Sequence, residues 1–505
     1  MDRVELREVR YFTGKDFITV FWRKPEYETG TYDFFLNGKY LSSADTTYYT
    51  FQDLEPETEY SVTIRCSHAE TKLICRTRAV HRCIDVSKAP YYAVGDGKTM
   101  NTQVLQRAID DCGVHDIIFI PKGIFLTGAL RLHSDMELYL EEGAVLQGTD
   151  CPEDYLPKVW SRFEGIEREC YSSLLNLGNL DHTDGYNCEN VMIRGKGTIA
   201  SGGRSLAEKV IVSERERLRE YLTSLGDEIS EYEKPETIPG RVRPRLISIN
   251  NSRNIVLSGV TFREGACWNV HMVYSDNVVT EGCTFYSRGV WNGDGWDPDS
   301  STNCAIFNCV FHTGDDSISI KSGKNPEGNL LARPAEHIWI FHCRCVSGNG
   351  ITIGSEMSGG VEDVDIWDCD MSSSYCGIEI KGTQKRGGYV RNIHMRDSTV
   401  ARVSFHSVSY NDDGAGAPVP PVFENCCFER LCIKGEYLNH EEEWEECDAI
   451  VLAGFDVQDY ELRNITFTDI IIGNGRKKRS QSILLQLCDT ITLERIKTVL
   501  HTALR

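Results

Sequence analysis

Asn254-Ile255-Val256-Leu257 is the stretch of sequence that decides the fold, because its pattern returns along the chain. A polar residue is followed by apolar, variable and apolar positions, and this arrangement recurs every 23 to 34 residues, starting again at Asn277, Asn303, His337, Asp363 and Asn392. Repeats of this length with strand-like content are typical of a solenoid in which each coil buries its inner face against its neighbours. The sequence therefore predicts a right-handed parallel β-helix.

A column of cysteines supports this interpretation. The sixth residue after four of the repeat starts is Cys283, Cys309, Cys343 and Cys369 in turn. One small apolar residue per coil suits an inward-facing column of a β-helix, and free cysteine is commonly buried. We interpret these thiols as core residues rather than as a metal or redox site.

The chain has two regions with different sequence patterns. Residues 1–80 contain alternating strands around an Asn37-Gly38 turn and predict a small β-sandwich with Trp22 in its core. The stretch Leu54–Tyr60 resembles a corner of fibronectin type III modules, so we expect a fibronectin type III-like packing or spacer module. Residues 84–505 carry the short strands of the β-helix, interrupted from Leu206 to Glu233 by a predicted charged helical insertion.

Composition excludes several classes of function. The 505 residues are 41% hydrophobic and 26% charged, and no apolar run approaches the roughly 20 residues of a membrane span. The net charge of -21 disfavours nucleic acid and anionic membranes as partners, since both require clustered cations. We expect a soluble protein with neither as partner.

The cysteines and the N-terminal residues indicate the cellular compartment of the protein. The first residues lack a basic and then apolar secretory signal, and none of the 20 cysteines forms a C-x-x-C pair. We therefore expect free thiols in a reducing cytoplasm.

Aspartates cluster in the turns that precede the second strand of successive coils. Stacking places Asp294, Asp316 and Asn349 in one column, with Asp315 beside Asp316. Adjacent coils lie about 4.8 Å apart, so crowding must raise the pKa of at least one carboxyl group. Calcium binding and turn formation are alternative reasons for such aspartates. The pattern favours a functional site, since a purely structural protein has little reason to crowd carboxylates.

The strands after these turns predict a polar strip on the outer face. Alternation places Trp296, Ile318, Ile351 and Ile378 in the core. The intervening positions point outward, and they are Asp297, Ser319, Thr352, Glu379, Asp299, Lys321, Gly354 and Lys381.

From about Tyr92 to its C-terminus the sequence resembles the polygalacturonases, glycoside hydrolase family 28. Asn292-Gly293-Asp294-Gly295 is similar to the family's N-T-D-G box, and Gly314-Asp315-Asp316 to its G-D-D box. Lys381 matches the lysine of the R-I-K box. Asp297-Pro298-Asp299-Ser300 and the run from Ile353 to Gly360 look most like exo-acting bacterial members, some of which carry an N-terminal fibronectin-like module.

The resemblance implies an inverting, exo-acting hydrolase that removes terminal α-linked galacturonate from pectic oligosaccharides without a metal or organic cofactor. Asp315 would be the general acid, and Asp294 and Asp316 would hold and deprotonate the attacking water. The residues expected to bind substrate are Lys381, Glu379, Asn349, Lys321, Asp297, His271 and Trp268. His406 and Tyr410, on a later coil, are additional candidates.

Two family positions differ in this sequence. Asn349 replaces the family's histidine, and Glu379 replaces the arginine of R-I-K. An unpaired carboxylate at position 379 should repel a uronate by on the order of 1 kcal/mol or more, unless it is protonated or paired with Lys381 or Lys321. Another cation would then be needed, and Arg386 and Arg391 are nearest in sequence.

Two alternatives therefore remain open. The same machinery would act on another terminal sugar of rhamnogalacturonan-type oligosaccharides, or the chain would be a catalytically silent carbohydrate-binding β-helix. Retention of all three aspartates argues against the silent alternative.

Overall fold

The computed structural model describes residues 6–26, 30–183, 185–232, 234, 236–408, 414–439, 443–473 and 482–499. The chain divides into two compact units. One comprises Met1–Ile84 and Cys112–Ile117, and the other comprises Asp85–Asp111 and Ile118–Arg505. The strands Cys83–Asp85 and Ile117–Ile120 contain points at which this division falls.

The first unit is a β-sandwich of two antiparallel sheets, as predicted. One sheet contains Val9–Thr13, Ile18–Trp22 and Tyr48–Phe51, and the other contains Lys39–Ala44, Tyr32–Leu36, Glu59–Arg65 and Glu70–Arg76. Trp22 is fully buried between the sheets, 4.8 Å from the ring of Tyr32. The backbone N–H of Glu55 donates to the Tyr60 hydroxyl at 2.9 Å, which fixes the corner before the strand Glu59–Arg65.

The second unit is a right-handed parallel β-helix, which confirms the predicted fold. Its coils contribute strands to three long parallel sheets. We call the sheet that carries the candidate site the site sheet; its strands are Leu130–Leu132, Leu175–Leu177, Ile247–Asn250, Val270–Val273, Trp296–Asp299, Ile318–Ile320, Gly350–Ile353, Gly377–Gly382, Arg402–Ser407, Ile450–Ala453 and Ile483–Gln486.

The other two sheets complete each coil. One contains Glu137–Leu140, Cys188–Glu189, Met192–Gly195, Ser252–Ser258, Asp276–Glu281, Ala305–Phe307, Ala335–Phe341, Val361–Trp367, Tyr389–Arg396, Val422–Glu429, Arg463–Thr468 and Ile491–Glu494. The other contains Asp96–Met100, Gly123–Thr127, Ala144–Gly148, Thr198–Ala200, Thr261–Arg263, Thr284–Tyr286, Val310–His312, Arg344–Ser347, Asp370–Met371, Thr399–Val400, Cys432–Ile433, Ile471–Ile472 and Lys497–Thr498.

The polar residue that starts each repeat has a backbone reason. All six repeat starts adopt left-handed φ values, from 54° at Asn277 to 57° at Asn254. Asparagine and aspartate tolerate this conformation better than most residues. The side chains also stack, since Asn277 Nδ2 donates to Asn254 Oδ1 at 2.8 Å. The repeat thus marks a bend inside each coil.

The cysteine column lies in the core, as predicted. Cys283, Cys309, Cys343 and Cys369 are at most 3% exposed. Aromatic residues form a similar column, with Phe307 and Phe341 stacked at 4.6 Å on neighbouring coils. Like residues therefore stack on like residues from coil to coil.

Helices and hairpins are inserted between the coils. The α-helices are Thr102–Asp110, Gly203–Arg217, Arg219–Leu225, Thr237–Gly240 and Glu327–Leu331, and the 3-10 helices are Pro152–Tyr155 and Gly226–Glu231. The predicted helical insertion is thereby confirmed. Two antiparallel hairpins occur, Val159–Phe163 with Ile166–Cys170 and Glu436–Leu438 with Trp444–Glu446. Within the described residues, no helix is both long enough and apolar enough to span a membrane.

The register of the site sheet agrees with the predicted alignment. Trp296 pairs with Ile318, Ile318 with Ile351, and Ile351 with Ile378. All four side chains are fully buried in the core. The alternate residues therefore face outward, and they form the floor of the candidate site.

Candidate active site

Asp294 lies in the turn before the strand Trp296–Asp299 and is 2% exposed. Its Oδ2 accepts a hydrogen bond from Lys321 Nζ at 3.3 Å. Burial, followed by the charge of neighbouring Asp297, raises the pKa of Asp294 well above its usual value, although the ammonium of Lys321 opposes the shift. Asp294 is thus a buried carboxyl group that depends on one cation for its ionised form.

Asp315 and Asp316 occupy the next coil. The backbone N–H of Gly295 donates to the Asp316 carbonyl at 3.0 Å, so the turns of the two coils are directly stacked. Burial, then the charges of Asp294 and Asp316, raises the pKa of Asp315 well above its usual value. The structure therefore brings the three predicted aspartates together, with a proton favoured on Asp315.

Asn349, on the following coil, joins the two adjacent aspartates. Its Nδ2 donates to Asp315 Oδ1 at 2.9 Å and to Asp316 Oδ1 at 3.0 Å. Asp316 also accepts from Thr352 Oγ1 at 2.8 Å and from Ser319 Oγ at 3.0 Å. Three donors therefore hold the Asp316 carboxyl group in place. Asn349 therefore orients the acidic pair.

We predict that Asn349→Ala lowers kcat by about tenfold to a hundredfold, because two hydrogen bonds to carboxyl groups are lost together. The matched comparison is Asn349→His, which restores the family's residue and one ring donor, and which should retain more activity than the alanine variant. Steady-state kinetics of both variants check this. An alanine variant with parental kcat would contradict the orienting role.

Lys321 is the central cation of the site. Its Nζ lies 3.3 Å from Asp294, 3.7 Å from Asp297 and 3.6 Å from Glu356. Burial alone would lower its pKa, but these carboxylates raise the pKa well above its usual value, so the ammonium stays charged. The predicted Lys321 is therefore placed in the site, and Glu356 joins it from the run Ile353–Gly360, which resembles exo-acting family members.

Glu379 is neutralised by two partners. Lys381 Nζ lies 2.9 Å from its Oε2, and His406 Nε2 lies 2.6 Å from its Oε1. Burial would raise the pKa of Glu379, but the His406 hydrogen bond and the Lys381 charge lower it well below its usual value. The predicted repulsion of a uronate by Glu379 is therefore largely removed. Tyr410 lies outside the described residues.

The two arginines named as possible replacement cations lie in different places. Arg386 is 1% exposed, and its guanidinium donates to the Ser355 carbonyl and to Asn325 Oδ1. Burial would raise the pKa of Glu356, but the charges of Lys321 and then Arg386 lower it, so Arg386 is buried beside the site. Arg391 belongs to a different sheet and pairs with Glu362 at 2.7 Å, away from the site.

Trp268 and His271 lie in the wall of the site, both at most 2% exposed. Phe163 of the hairpin Val159–Cys170 stacks on Trp268 at 5.0 Å. His271 Nε2 lies 3.4 Å from Asp299 Oδ2, and burial lowers the pKa of His271 to about 4. His271 is thus a neutral wall residue near pH 7.

Arg162, from the same hairpin, was not found by sequence reasoning. Its Nη1 donates to Asp299 Oδ1 at 2.7 Å and to Ser300 Oγ at 3.0 Å. Burial would raise the pKa of Asp299, but Arg162 and then His271 lower it to about 2. No periodicity links Arg162 to Asp299, since the hairpin is an insertion between coils.

The chain is similar to known proteins over most of its length. Residues 176–413 match the model described as Glycosyl hydrolases family 28. The chain is 28% identical over 396 residues to the exo-poly-alpha-D-galacturonosidase of Dickeya chrysanthemi, covering 73% of this chain and 65% of the relative. It is 31% identical over 334 residues to a probable polygalacturonase of Vitis vinifera, covering 63% and 61%. The chain thus spans less than two thirds of the length of both relatives.

Solved structures show the same fold. The family 28 exopolygalacturonase of Yersinia enterocolitica has a TM-score of 0.79 at 21% identity, covering 98% of this chain and 96% of that one. The exopolygalacturonase of Thermotoga maritima has a TM-score of 0.67 at 27% identity, covering 83% and 92%. The family match contains all three candidate catalytic aspartates together with Asn349 and Lys381. By its β-helix, its stacked aspartates and these similarities, the chain resembles the members of glycoside hydrolase family 28.

Proposed function

We propose that the protein is an inverting, exo-acting glycoside hydrolase that removes terminal α-linked galacturonate from pectic oligosaccharides. The observation that carries the proposal is the stack of Asp294, Asp315 and Asp316 on neighbouring coils, beside a hairpin that covers the adjacent part of the sheet. The Dickeya relative is an exo-poly-alpha-D-galacturonosidase and the Thermotoga relative an exopolygalacturonase, which supports the exo action and the galacturonate substrate.

The hairpin Val159–Cys170 supports attack at a chain end. It lies on the side of the coils that precede Asp294, where Phe163 covers Trp268 and Arg162 reaches Asp299. Its turn is held by Lys324, whose backbone N–H donates to the Gly165 carbonyl at 2.9 Å. A sugar seated at the aspartates therefore meets a wall on this side, and the rest of the oligosaccharide extends over the later coils.

The chemistry follows from the protonation states. Protonated Asp315 gives its proton to the glycosidic oxygen as the bond from that oxygen to the anomeric carbon breaks. A water held by Asp294 and Asp316 attacks the anomeric carbon from the opposite face, and its proton passes to one of these carboxylates. The product sugar has inverted configuration.

Release of monosaccharide tests the proposal. The protein is incubated with oligogalacturonides and with rhamnogalacturonan oligosaccharides, and released sugars are identified by chromatography and by the anomer formed first. Galacturonate released alone, initially as the inverted β-anomer, supports the proposal. Internal fragments, or a first-formed α-anomer, contradict it.

A second candidate substrate is favoured by the pairing of Glu379 with Lys381 and His406. With Lys381 and His406 both bound to Glu379, this place suits a neutral sugar as well as a uronate. The same incubation distinguishes the two substrates. Release of a neutral terminal sugar from rhamnogalacturonan oligosaccharides, in place of galacturonate, would favour the second. Release of nothing from any pectic fragment would favour the catalytically silent alternative.

We predict that Asp297→Asn leaves the acidic limb of the kcat/KM profile in place. Asp297 is fully buried beside Asp294, and burial, opposed by the charge of Lys321, raises the pKa of Asp297 to about 8. Its carboxyl group is therefore mostly protonated on the acidic limb, and asparagine keeps that neutral state. Profiles of both proteins check this. A limb that moves to lower pH would mean that Asp297 is ionised there and raises the pKa of Asp294.

We also propose that the N-terminal sandwich is a fibronectin type III-like spacer. Its three-plus-four strand arrangement and the Tyr60 corner support this assignment. Unchanged kcat/KM on short oligosaccharides after its residues are deleted would agree with a spacer. A large rise in KM would instead assign it a role in substrate binding.

Cytoplasmic location stays part of the proposal. All 20 cysteines are free thiols, which is the state expected in a reducing compartment. Cell fractionation with antibody detection tests it, and recovery outside the cytoplasm would contradict it.

A further inference from the structure

Arg402 is a guanidinium group near the candidate site that has no acidic partner among the described residues. It begins the strand Arg402–Ser407 and pairs with Gly377 of the preceding coil. Val403 and Phe405 are fully buried in the core, so Arg402 and Ser404 face outward beside Glu379. Across the described part of the chain, no carboxylate lies within ion-pair distance of Arg402.

Two tyrosines and a thiol surround this guanidinium. Its Cζ lies 4.9 Å from the ring centre of Tyr375 and 6.0 Å from that of Tyr437. The two rings meet edge to face at 4.7 Å. Arg402 Nη2 donates to Cys376 Sγ at 3.2 Å, and its buried Nε has no hydrogen-bond partner. Packing holds the cation in place, while none of the residues that the structure describes supplies a carboxylate to pair with its charge.

The hairpin Glu436–Glu446 completes the arrangement. It supplies Tyr437, whose hydroxyl donates to Glu445 Oε2. The other oxygen of Glu445 accepts from Asn439 Nδ2 at 2.7 Å. The hairpin therefore brings an aromatic ring to Arg402 while its own carboxylate is satisfied within the hairpin.

The position matches a sugar beyond the first leaving-group unit. The coils repeat at about 4.8 Å, which is close to the length of one sugar residue. Asp316 lies on one coil, Asn349 on the next, Glu379 on the third and Arg402 on the fourth, all on the side away from the hairpin Val159–Cys170. The first leaving-group sugar would reach Glu379 and Lys381, and the second would reach Arg402.

We propose that Arg402, packed between Tyr375 and Tyr437, binds the carboxylate of the second sugar on the leaving-group side. The inference rests on the proposed exo-hydrolase function. A planar guanidinium suits a carboxylate in two parallel hydrogen bonds, and Tyr375, at 37% exposed, offers a ring for the sugar face. The site thus favours acidic oligosaccharides of three or more units over disaccharides. Arg402 supplies the charge for this preference, because Lys381 and His406 are already bound to Glu379.

The test compares Arg402→Gln with the parent on digalacturonate and trigalacturonate. The variant is expected to lose about tenfold in kcat/KM on the trimer, mainly through KM, the size of one hydrogen bond to a charged group. The dimer should be unaffected, since it does not reach Arg402. Equal loss on both substrates, or no loss on either, would overturn the proposal.

A modified substrate separates charge recognition from packing. Methyl-esterifying the reducing-end unit of the trimer removes the carboxylate that Arg402 is proposed to bind. The ester should lower the kcat/KM of the parent on the trimer to about the value for Arg402→Gln. It should leave the kcat/KM of Arg402→Gln unchanged. A parent that cleaves both trimers equally well would overturn the proposal. Arg391→Gln, in which the altered arginine lies on another sheet, is the matched control and should behave as the parent.

A binding measurement keeps the proposal testable without turnover. Trigalacturonate is titrated calorimetrically into Asp315→Asn with and without Arg402→Gln, and about tenfold weaker binding is expected with the second change. Equal affinities would overturn the role of Arg402. Absence of galacturonate release by the parent, in contrast, would overturn the proposed function and leave this comparison valid.

Discussion

Asp315→Asn is expected to lower kcat by about a thousandfold while leaving the fold intact, because the general acid is lost and its shape is kept. Asn preserves an oxygen that accepts from Asn349 Nδ2 and from the backbone N–H of Asp316. It has no acidic proton to give to the leaving oxygen. Steady-state rates on oligogalacturonides and circular dichroism of the same preparations check both parts.

The stability of this variant has a predictable sign. Burial raises the folded-state pKa of Asp315, so the folded protein binds more protons than the unfolded chain once the pH exceeds the unfolded pKa. The stability of the parent therefore falls as pH rises through that interval. Asp315→Asn lacks this loss and should be at least as stable as the parent near neutral pH.

Substrates with different leaving groups distinguish the role of Asp315 from that of Asp316. An aryl galacturonide with an acidic phenol leaves without protonation, so it should restore much of the rate of Asp315→Asn and little of that of Asp316→Asn. Asp363→Asn is the matched control, since it makes the same change at a left-handed position that asparagine occupies on the next coil, at Asn392. Failure of the aryl substrate to distinguish the two variants would reject the acid assignment.

Arg162→Met is expected to lower the free energy of unfolding by about 3 kcal/mol, because it leaves a buried carboxylate without its partner. Arg162 and Asp299 are each 1% exposed in their side chains and lie 2.7 Å apart. The same guanidinium also contacts Tyr274 and, at 3.4 Å, Glu167. Denaturant unfolding followed by tryptophan fluorescence measures the loss.

A surface pair provides the control for this prediction. Arg391 and Glu362 lie 2.7 Å apart, but the arginine side chain is 40% exposed, so Arg391→Met should change stability by less than about 1 kcal/mol. Adding Asp299→Asn to Arg162→Met should recover part of the loss, since the unpaired charge is then removed. Equal destabilisation by the two single variants would mean that the hairpin does not bury Arg162 in solution.

The column of aspartates was predictable because a β-helix converts sequence repeats into neighbours. Once alternation aligned Trp296 with Ile318, Ile351 and Ile378, the turns before those strands had to stack as well. The same alternation placed Lys321, Glu379 and Lys381 on the outer face. This alignment applies only to residues on the regular coils.

Pairings made by side chains or by inserted segments were not predictable in this way. Arg162 meets Asp299 across 137 positions of sequence, from a hairpin inserted between coils. His406 lies on the coil after Glu379 and contacts its carboxylate together with Lys381, which largely removes the expected repulsion. Arg391 is close in sequence to the site but belongs to another sheet, whereas Arg386 is buried beside Glu356.

By itself, then, the sequence determined the β-helix, the N-terminal sandwich and the stacked position of Asp294, Asp315 and Asp316, because stacked coils require only a local repeat and a two-residue alternation. Only the tertiary structure decided which charges in the site are paired, which side of the groove is closed and where a guanidinium has no carboxylate partner among the described residues. Those features depend on contacts between insertions and coils far apart in the chain, and no periodic pattern encodes such contacts.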